Sequence, residues 1–291
     1  MGEKVREAGV RAVKQRLCQT VDELDSFLDE LSLIKSPLRC VVKPVQSAGT
    51  DDVFLCSSRQ EALTAFKRIC GKRNGLGLIN EGALAQELLV GKEYVIDKIS
   101  RDGVHKIVAI WEYDKRSVNG ANFVYFGMRL MASNTPKSQE MIAYADKVLD
   151  ALGILQGPSH MEVIYQEDGP CLVEVGSRCH GGEGSWIPVA KECVGYTVVD
   201  ATLDCYLEGK LFAKLDPVNF PLMKAGREVD MVCRQGGVIR AITGDKLIRM
   251  LPSFRSISWE VKPGDYVHKT IDCFTRPGSV QLVSNHPSSR Q

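Results

Sequence analysis

Apolar residues recur at helical spacing in several stretches of the chain and alternate with polar residues in others. Leu24, Phe27, Leu28 and Leu31 fall on one helical face, and Thr20 with Glu23 ahead of them fits a capping box. Ser58 and Glu61 cap a second predicted helix carrying Ala62, Ala65, Phe66 and Ile69, with Gly71 placed as a C′ glycine. A third starts after Thr135 with Pro136 as its first residue. Met141, Ile142, Ala145, Val148, Leu149 and Leu152 form its apolar stripe, and Gly153 ends it. Residues 197–209 fit another helix.

Strand-like runs Arg39 to Val45 and Val53 to Cys56 flank a loop of small residues, Gln46 to Thr50. Residues 72–82 are polar and glycine-rich and read as a mobile connection. Between Ala83 and Met131 the runs LAQELLV, EYVIDKIS, HKIVAIWEY and NFVYFGMRLM predict one antiparallel sheet. After the third helix comes a hairpin, HMEVIY and CLVEV around QEDGP. From about Phe220 short strands alternate with Gly and Pro turns, which predicts a small β-rich C-terminal unit. The α+β pattern therefore divides into residues 1–82, 83–215 and 216–291.

Charge and composition narrow the partners. Thirty-seven basic against thirty-six acidic residues give a net charge of +1, so no bulk field gathers nucleic acid or an anionic membrane. Ten cysteines are scattered singly, without a C-x-x-C pair, and read as reduced thiols of a cytoplasmic protein. No apolar run approaches the roughly 20 residues of a spanning helix. The N-terminus is charged from Glu3 and lacks the apolar core of a secretion signal.

Candidate chemistry begins with Glu162 and Glu174 on the two arms of the hairpin. If Gln166 to Pro170 form its loop, Tyr165 pairs with Cys171 and Glu162 faces Glu174 across the ladder. Like charges so placed destabilise the pair unless a cation compensates, and hard carboxylate oxygens favour Mg2+ or Mn2+ with phosphate oxygens beside it. Two unrelated glutamates on a solvated strand face give the same pattern, so both readings stand. Lys43 ends the apolar run VVKP just before the loop Gln46-Ser-Ala-Gly-Thr50, whose backbone N–H groups suit phosphate oxygens. Arg178, in the turn GSRCHGGEG, is a fixed positive charge suited to stabilising an oxyanion, or a surface arginine pairing with Glu183. His160, Cys179 and His180 lack zinc-site spacing and read as satisfied structural groups.

The order AGVRAVKQ, VVKPVQSAGT, AQELLVGKEYVID, GPSHMEVIY, CLVEVGSRCHGGEG over residues 8–184 resembles the ATP-grasp superfamily. Within it the chain is similar to carboxylate–amine ligases of the L-amino acid ligase and carnosine synthase type. The resemblance implies two α+β subdomains clasping ATP, the first within 1–82 and the second, with the metal hairpin, within 83–215. It implies Lys43 on the ATP phosphates, Ser47, Ala48 and Gly49 in the phosphate-covering loop, and Gln86, Glu87, Leu88 and Leu89 as the hinge beside adenine. Glu93 would contact the nucleotide, Glu162 and Glu174 would hold Mg2+, and Arg178 would be the catalytic arginine. A small-molecule carboxylate and amine would be joined through an acyl phosphate.

The chain departs from the family pattern in three places. Gly176 stands where many relatives carry a metal-binding Asn. Asp52 stands where a glycine is common, and is expected to set a negative charge near the phosphates. Met1 falls inside a helix that in the family follows an N-terminal α/β domain, so the expectation is a truncated chain, with a non-catalytic ATP-binding module, or a carboxylase or purine-pathway enzyme, as the alternatives.

Overall fold

The computed structural model describes residues 1–34 and 36–285. A short helix α1 (Gly2–Glu7) leads into β1 (Gln15–Cys18), α2 (Val21–Ile34), β2 (Cys40–Pro44), β3 (Phe54–Cys56), α3 (Arg59–Ile69) and β4 (Ala83–Glu87). The strands form a four-stranded antiparallel sheet in the order β1-β4-β2-β3. Helices α2 and α3 cover one face, packing Leu24, Phe27, Leu28, Phe66 and Ile69 against Val42, Ala83 and Ala85. The expected caps are present: Ser58 accepts from the backbone N–H of Glu61, and Thr20 from that of Glu23. Such caps contribute about 1 kcal/mol each, whereas each large apolar side chain fully buried on these faces contributes about 1.5–3, so packing decides the fold.

The second body runs β5 (Lys92–Arg101), β6 (Val104–Val118), β7 (Ala121–Leu130), α4 (Pro136–Leu152), β8 (Gly157–Gln166), β9 (Gly169–Gly176), α5 (Ile187–Val194), α6 (Val198–Leu207) and α7 (Gly209–Lys214). Thr135 caps α4, Pro136 opens it, and Gly153 closes it at φ 71°, as the pattern predicts. Then follow β10 (Ala225–Asp230), β11 (Gly237–Val238), α8 (Asp245–Arg249), β12 (Phe254–Trp259), β13 (Tyr266–Val267) and β14 (Gly278–Ser284). One eight-stranded sheet in the order β12-β14-β10-β7-β6-β5-β8-β9 spans this region, with β11 and β13 as a separate ribbon.

Three local expectations change. Ala83–Glu87 belongs to the small sheet, because Ala83 and Ala85 alternate into its core while the chain breaks at Leu88 before β5 begins. Most of the C-terminal strands extend the large sheet instead of forming their own: β10 pairs with β7 and β14 pairs with β10. Gly127, at φ 136°, permits that join, since a Cβ there would fall 2.1 Å from the carbonyl oxygen of Glu228. Residues 72–82 are an ordered turn. The Asn74 carboxamide oxygen accepts from Leu76 and Leu78 N–H at 3.1 and 3.0 Å, and the N–H of Gly75 donates to Asp51 at 2.7 Å. Among the described residues, no helix is long and apolar enough to cross a membrane.

Candidate active site

The two sheets face each other across a cavity of about 370 Å³. Period-two alternation aims the small sheet's residues: Val42, Ala83 and Ala85 enter the core, so Val41, Lys43, Leu84 and Gln86 face the cavity. The loop Ser47 to Asp51 covers one end, with Gly49 at φ 65° and the Ser47 hydroxyl donating to Asp51 at 2.8 Å. Gly49 also touches the C-terminal segment, where its carbonyl accepts from the N–H of Cys273 at 3.1 Å.

On the other wall Glu162 and Glu174 are ladder partners, but not through the expected register. The turn is the two-residue Glu167-Asp168, so Tyr165 pairs with Pro170 and Val163 with Leu172. That slip would have turned Glu174 away from its partner. A bulge at Val173 inserts one residue and restores Glu162 opposite Glu174.

The surrounding charges are dense. Lys43 Nζ reaches across the cavity to Glu174 at 3.2 Å, and Lys115 Nζ bonds Glu93 at 2.6 Å. His160 stands between Asp97 and Glu162, with Nδ1 3.1 Å from one carboxylate and Nε2 3.5 Å from the other. Burial opposes its charge, but the two carboxylates prevail and raise its pKa to about 9. Burial likewise pushes the Glu162 carboxyl up, yet the His160 bond and the charges of Lys115 and Lys43 hold it well below the usual range. Glu93 is pushed up, by burial first and then by Glu162, although Lys115 pulls it down. Two carboxylates facing each other across the ladder at the cavity floor, Glu162 and Glu174, fit a hard divalent cation.

Lys43, Ser47, Ala48, Gly49, Gln86, Leu88, Leu89, Glu93, Glu162, Glu174 and Arg178 all line this cavity. Glu87 does not: its carboxylate accepts from the backbone N–H of Lys14 at 2.9 Å at the sheet edge. Asp52 is also turned away from the cavity lining, and pairs with Arg68 at 3.4 Å. Arg178 bonds the Cys179 carbonyl at 3.0 Å rather than Glu183. Gly176 gives it room, since a Cβ there would lie 3.3 Å from the arginine side chain. The acceptor oxygens of Gln15 and Gln86, both in the cavity wall, are buried without a partner among the described residues. A polar ligand suits such groups.

Lys115 is one residue that sequence reading missed. In WEYDKR, alternation sets Tyr113 and Lys115 on one face of β6, and the lysine lies over the Tyr125 and Tyr113 rings at 4.4 and 5.0 Å. A lysine following an aromatic by two positions was the available signal. Asp97 was missed as well; it is fully buried and accepts from His160, His180 and Trp111. Direct bonds from Trp111 and from Nδ1 of both histidines satisfy the Asp97 carboxylate without an ion.

A second cavity, of about 310 Å³, opens behind the first. Ala48, Gly49, Tyr125, Glu162 and Arg178 line both. Its own walls carry Glu183, Glu228, Asp230 and Asp272 with Arg276, beside Met128, Phe274 and His180. Glu228 accepts from the Ser185 hydroxyl at 3.0 Å, and burial together with Asp230 pushes its pKa up to about 7.

Comparison with known proteins places this geometry. Residues 19–182 match the family described as ATP-grasp domain. Dapdiamide A synthase of Enterobacter agglomerans is 30% identical over 290 residues, covering 99% of this chain and 66% of that protein. The L-arginine-specific L-amino acid ligase of Bacillus subtilis is 25% identical over 146 residues, covering 49% of this chain and 34% of its own length. The chain thus spans less than two thirds of the length of these relatives. Among solved structures, the L-amino acid ligase from Bacillus licheniformis superposes with a TM-score of 0.77 at 19% identity, over 98% of this chain and 66% of that one. An N5-carboxyaminoimidazole synthase from Aspergillus clavatus, in complex with ADP, gives 0.67 at 15% identity, over 98% and 67%. With the match covering more than half of its residues and the two-sheet clasp in place, the chain belongs to the ATP-grasp family.

Proposed function

We propose that this chain carries the nucleotide and metal site of an ATP-dependent ligase that joins a carboxylate to an amine through an acyl phosphate, with amino acids as substrates. The observation that supports the reading is the convergence of Glu162, Glu174, Lys43 and Arg178 in the first cavity, with Glu162 and Arg178 lining the second as well. The names of the amino acid ligases among the relatives support the substrate class.

In this reading Glu162 and Glu174 hold Mg2+ or Mn2+, and Gln86 offers its unpartnered oxygen to the amine of adenine. Leu88 and Leu89 flank the base, while the loop Ser47-Ala48-Gly49 turns backbone N–H groups toward phosphate. Lys43, now paired with Glu174, shifts its charge to phosphate once the carboxylates are engaged. Lys115 and His160 keep Glu93 and Glu162 oriented, the work of groups behind a metal ligand. Bound Mg-ATP supplies the phosphoryl group that converts the carboxylate into an acyl phosphate. Arg178 faces the position where charge develops on the acyl oxygen.

Calorimetric titration of the protein with ATP tests the site. Binding should weaken roughly tenfold or more without Mg2+ and on Lys43→Ala, the scale of a lost charge-assisted contact. Equal affinity under all three conditions would overturn the assignment.

A further inference from the structure

We infer that the second cavity is the amine side of the reaction and that His180, positioned by Asp97, takes the proton from the incoming ammonium group. This rests on the ligase reading above. The fixed point is Asp97, a wholly buried residue of β5 in the large sheet. Its Oδ2 faces Trp111 Nε1 at 3.0 Å and His180 Nδ1 at 2.9 Å, and its Oδ1 faces His160 Nδ1 at 3.1 Å. An ionised carboxylate only accepts hydrogen bonds, so His180 carries its hydrogen on Nδ1 and, when neutral, a lone pair on Nε2. No protein group among the described residues bonds Nε2, and His180 lines the second cavity. The ring is held by Trp111, Trp186 and His160, at centroid distances of 5.7, 5.2 and 4.5 Å. A lone pair is therefore presented to the cavity in a fixed direction.

The cavity around it favours a cation. Glu183, Glu228, Asp230 and Asp272 stand against Arg178 and Arg276, and Arg276 is already committed to Asp230 at 2.8 Å. Glu228 lies 3.9 Å from the same guanidinium and accepts from the Ser185 hydroxyl. Because Arg178 and Glu162 line both cavities, an amine entering here meets the activated carbonyl from the side opposite the nucleotide. The ammonium group gives one proton to Nε2, and the freed lone pair forms the C–N bond. The C–O bond to phosphorus-bound oxygen then breaks, its electron pair leaves with phosphate, the remaining excess N–H proton departs with phosphate, and the imidazolium returns its proton to water.

Hydroxylamine separates this role from a structural one, because it is uncharged at neutral pH and attacks an acyl phosphate without a base. The protein is assayed with ATP, Mg2+ and standard L-amino acids, for amide formation alone and for hydroxamate formation when hydroxylamine is added. His180→Asn keeps a donor for Asp97 but removes the base. Amide formation should fall about a hundredfold or more, the usual contribution of a positioned acid–base group, while hydroxamate formation falls far less. Equal loss of both would make His180 a structural residue, and undiminished amide formation would remove its role as base; either result overturns the inference. His180→Gln gives the same readout if the Asn variant melts early. A wild-type protein that forms no hydroxamate from any of these carboxylates fails at activation, so the ligase reading itself falls.

Discussion

On one side of the first cavity, the small sheet contributes Lys43 and a loop whose backbone takes left-handed conformations at Gly49, Thr50 and Asp52. On the other, the large sheet contributes Glu93, Lys115, Glu162 and Glu174, with His160 behind Glu162, on neighbouring strands, most of them anchored to partners within the same sheet. The difference separates two tasks. Charge that must stay put is carried by strands in register, and groups that must close over a ligand are carried by the small sheet and its loop, which touch the large body at Glu174 through Lys43 and at Cys273 through Gly49.

The rigid side is tested most severely at Arg178, which follows β9. Arg178→Lys should leave ATP affinity nearly unchanged and slow ligation by about a hundred- to a thousandfold, because lysine lacks the planar fork that holds two oxygens. Glu174→Gln, by contrast, should lower both metal-dependent nucleotide binding and turnover. Ligation rates beside nucleotide affinities check the pair, and full activity in Arg178→Lys would remove the arginine from the chemistry.

The loop side is tested at Gly49. A Cβ there would lie 1.8 Å from Cys273 Sγ, and the backbone is left-handed at φ 65°. Strain of about 1–2 kcal/mol from the backbone alone predicts that Gly49→Ala weakens ATP binding roughly tenfold, and the contact with Cys273 adds to that loss. Adding Cys273→Ala removes the 1.8 Å contact with Sγ but keeps one of 2.9 Å with Cβ, so it should recover much of the steric part of the loss and leave the backbone part. No recovery at all would mean that the loop and the C-terminal segment separate when nucleotide binds.

How far these two sides were legible in the sequence follows the same division. Lys43 and the loop after it were readable because an apolar run, one lysine and small residues are contiguous. Glu162 and Glu174 were readable as a pair although the register behind them was not, since a short turn and a bulge at Val173 offset each other and neither leaves a mark in the pattern. Glu87 was misplaced because a contiguous hinge motif does not show which alternate residues face outward. Lys115, Asp97 and the union of β10 with β7 depend on pairings distant in sequence, which local periodicity does not encode. The second cavity was not legible for the same reason, because β7, β8, β10, the turn after β9 and the segment at Cys273 build it together.

The second cavity supplies a smaller effect, on stability. The Glu228 carboxyl has its pKa raised from an ordinary 4.5 to about 7, chiefly by burial. An acid held protonated in the folded state lowers stability as pH rises from 4.5 to about 7, because only the unfolded chain releases the proton in that window; above it the cost is constant. Glu228→Gln should therefore gain about 2–3 kcal/mol relative to wild type between pH 5 and pH 8. Thermal melts at the two pH values check this, and a gain equal at both would show that Glu228 is ionised throughout.

The smallest effect is expected at Asp52, where the two sides disagree most about what a charge does. The sequence sets this carboxylate beside the phosphates, but the structure turns it outward to Arg68 at 3.4 Å, with φ at 49°. Asp52→Asn removes the charge and keeps a side chain that tolerates a left-handed backbone. A pair this exposed on the arginine side contributes about 0–1 kcal/mol, so stability should barely move, and ATP affinity should stay within about twofold of wild type. Marked tightening of ATP binding, fading at high salt, would mean that the loop brings Asp52 inward over the nucleotide. The loop would then rearrange on binding, and the contrast between a fixed wall and a closing one would be sharper than the present geometry draws it.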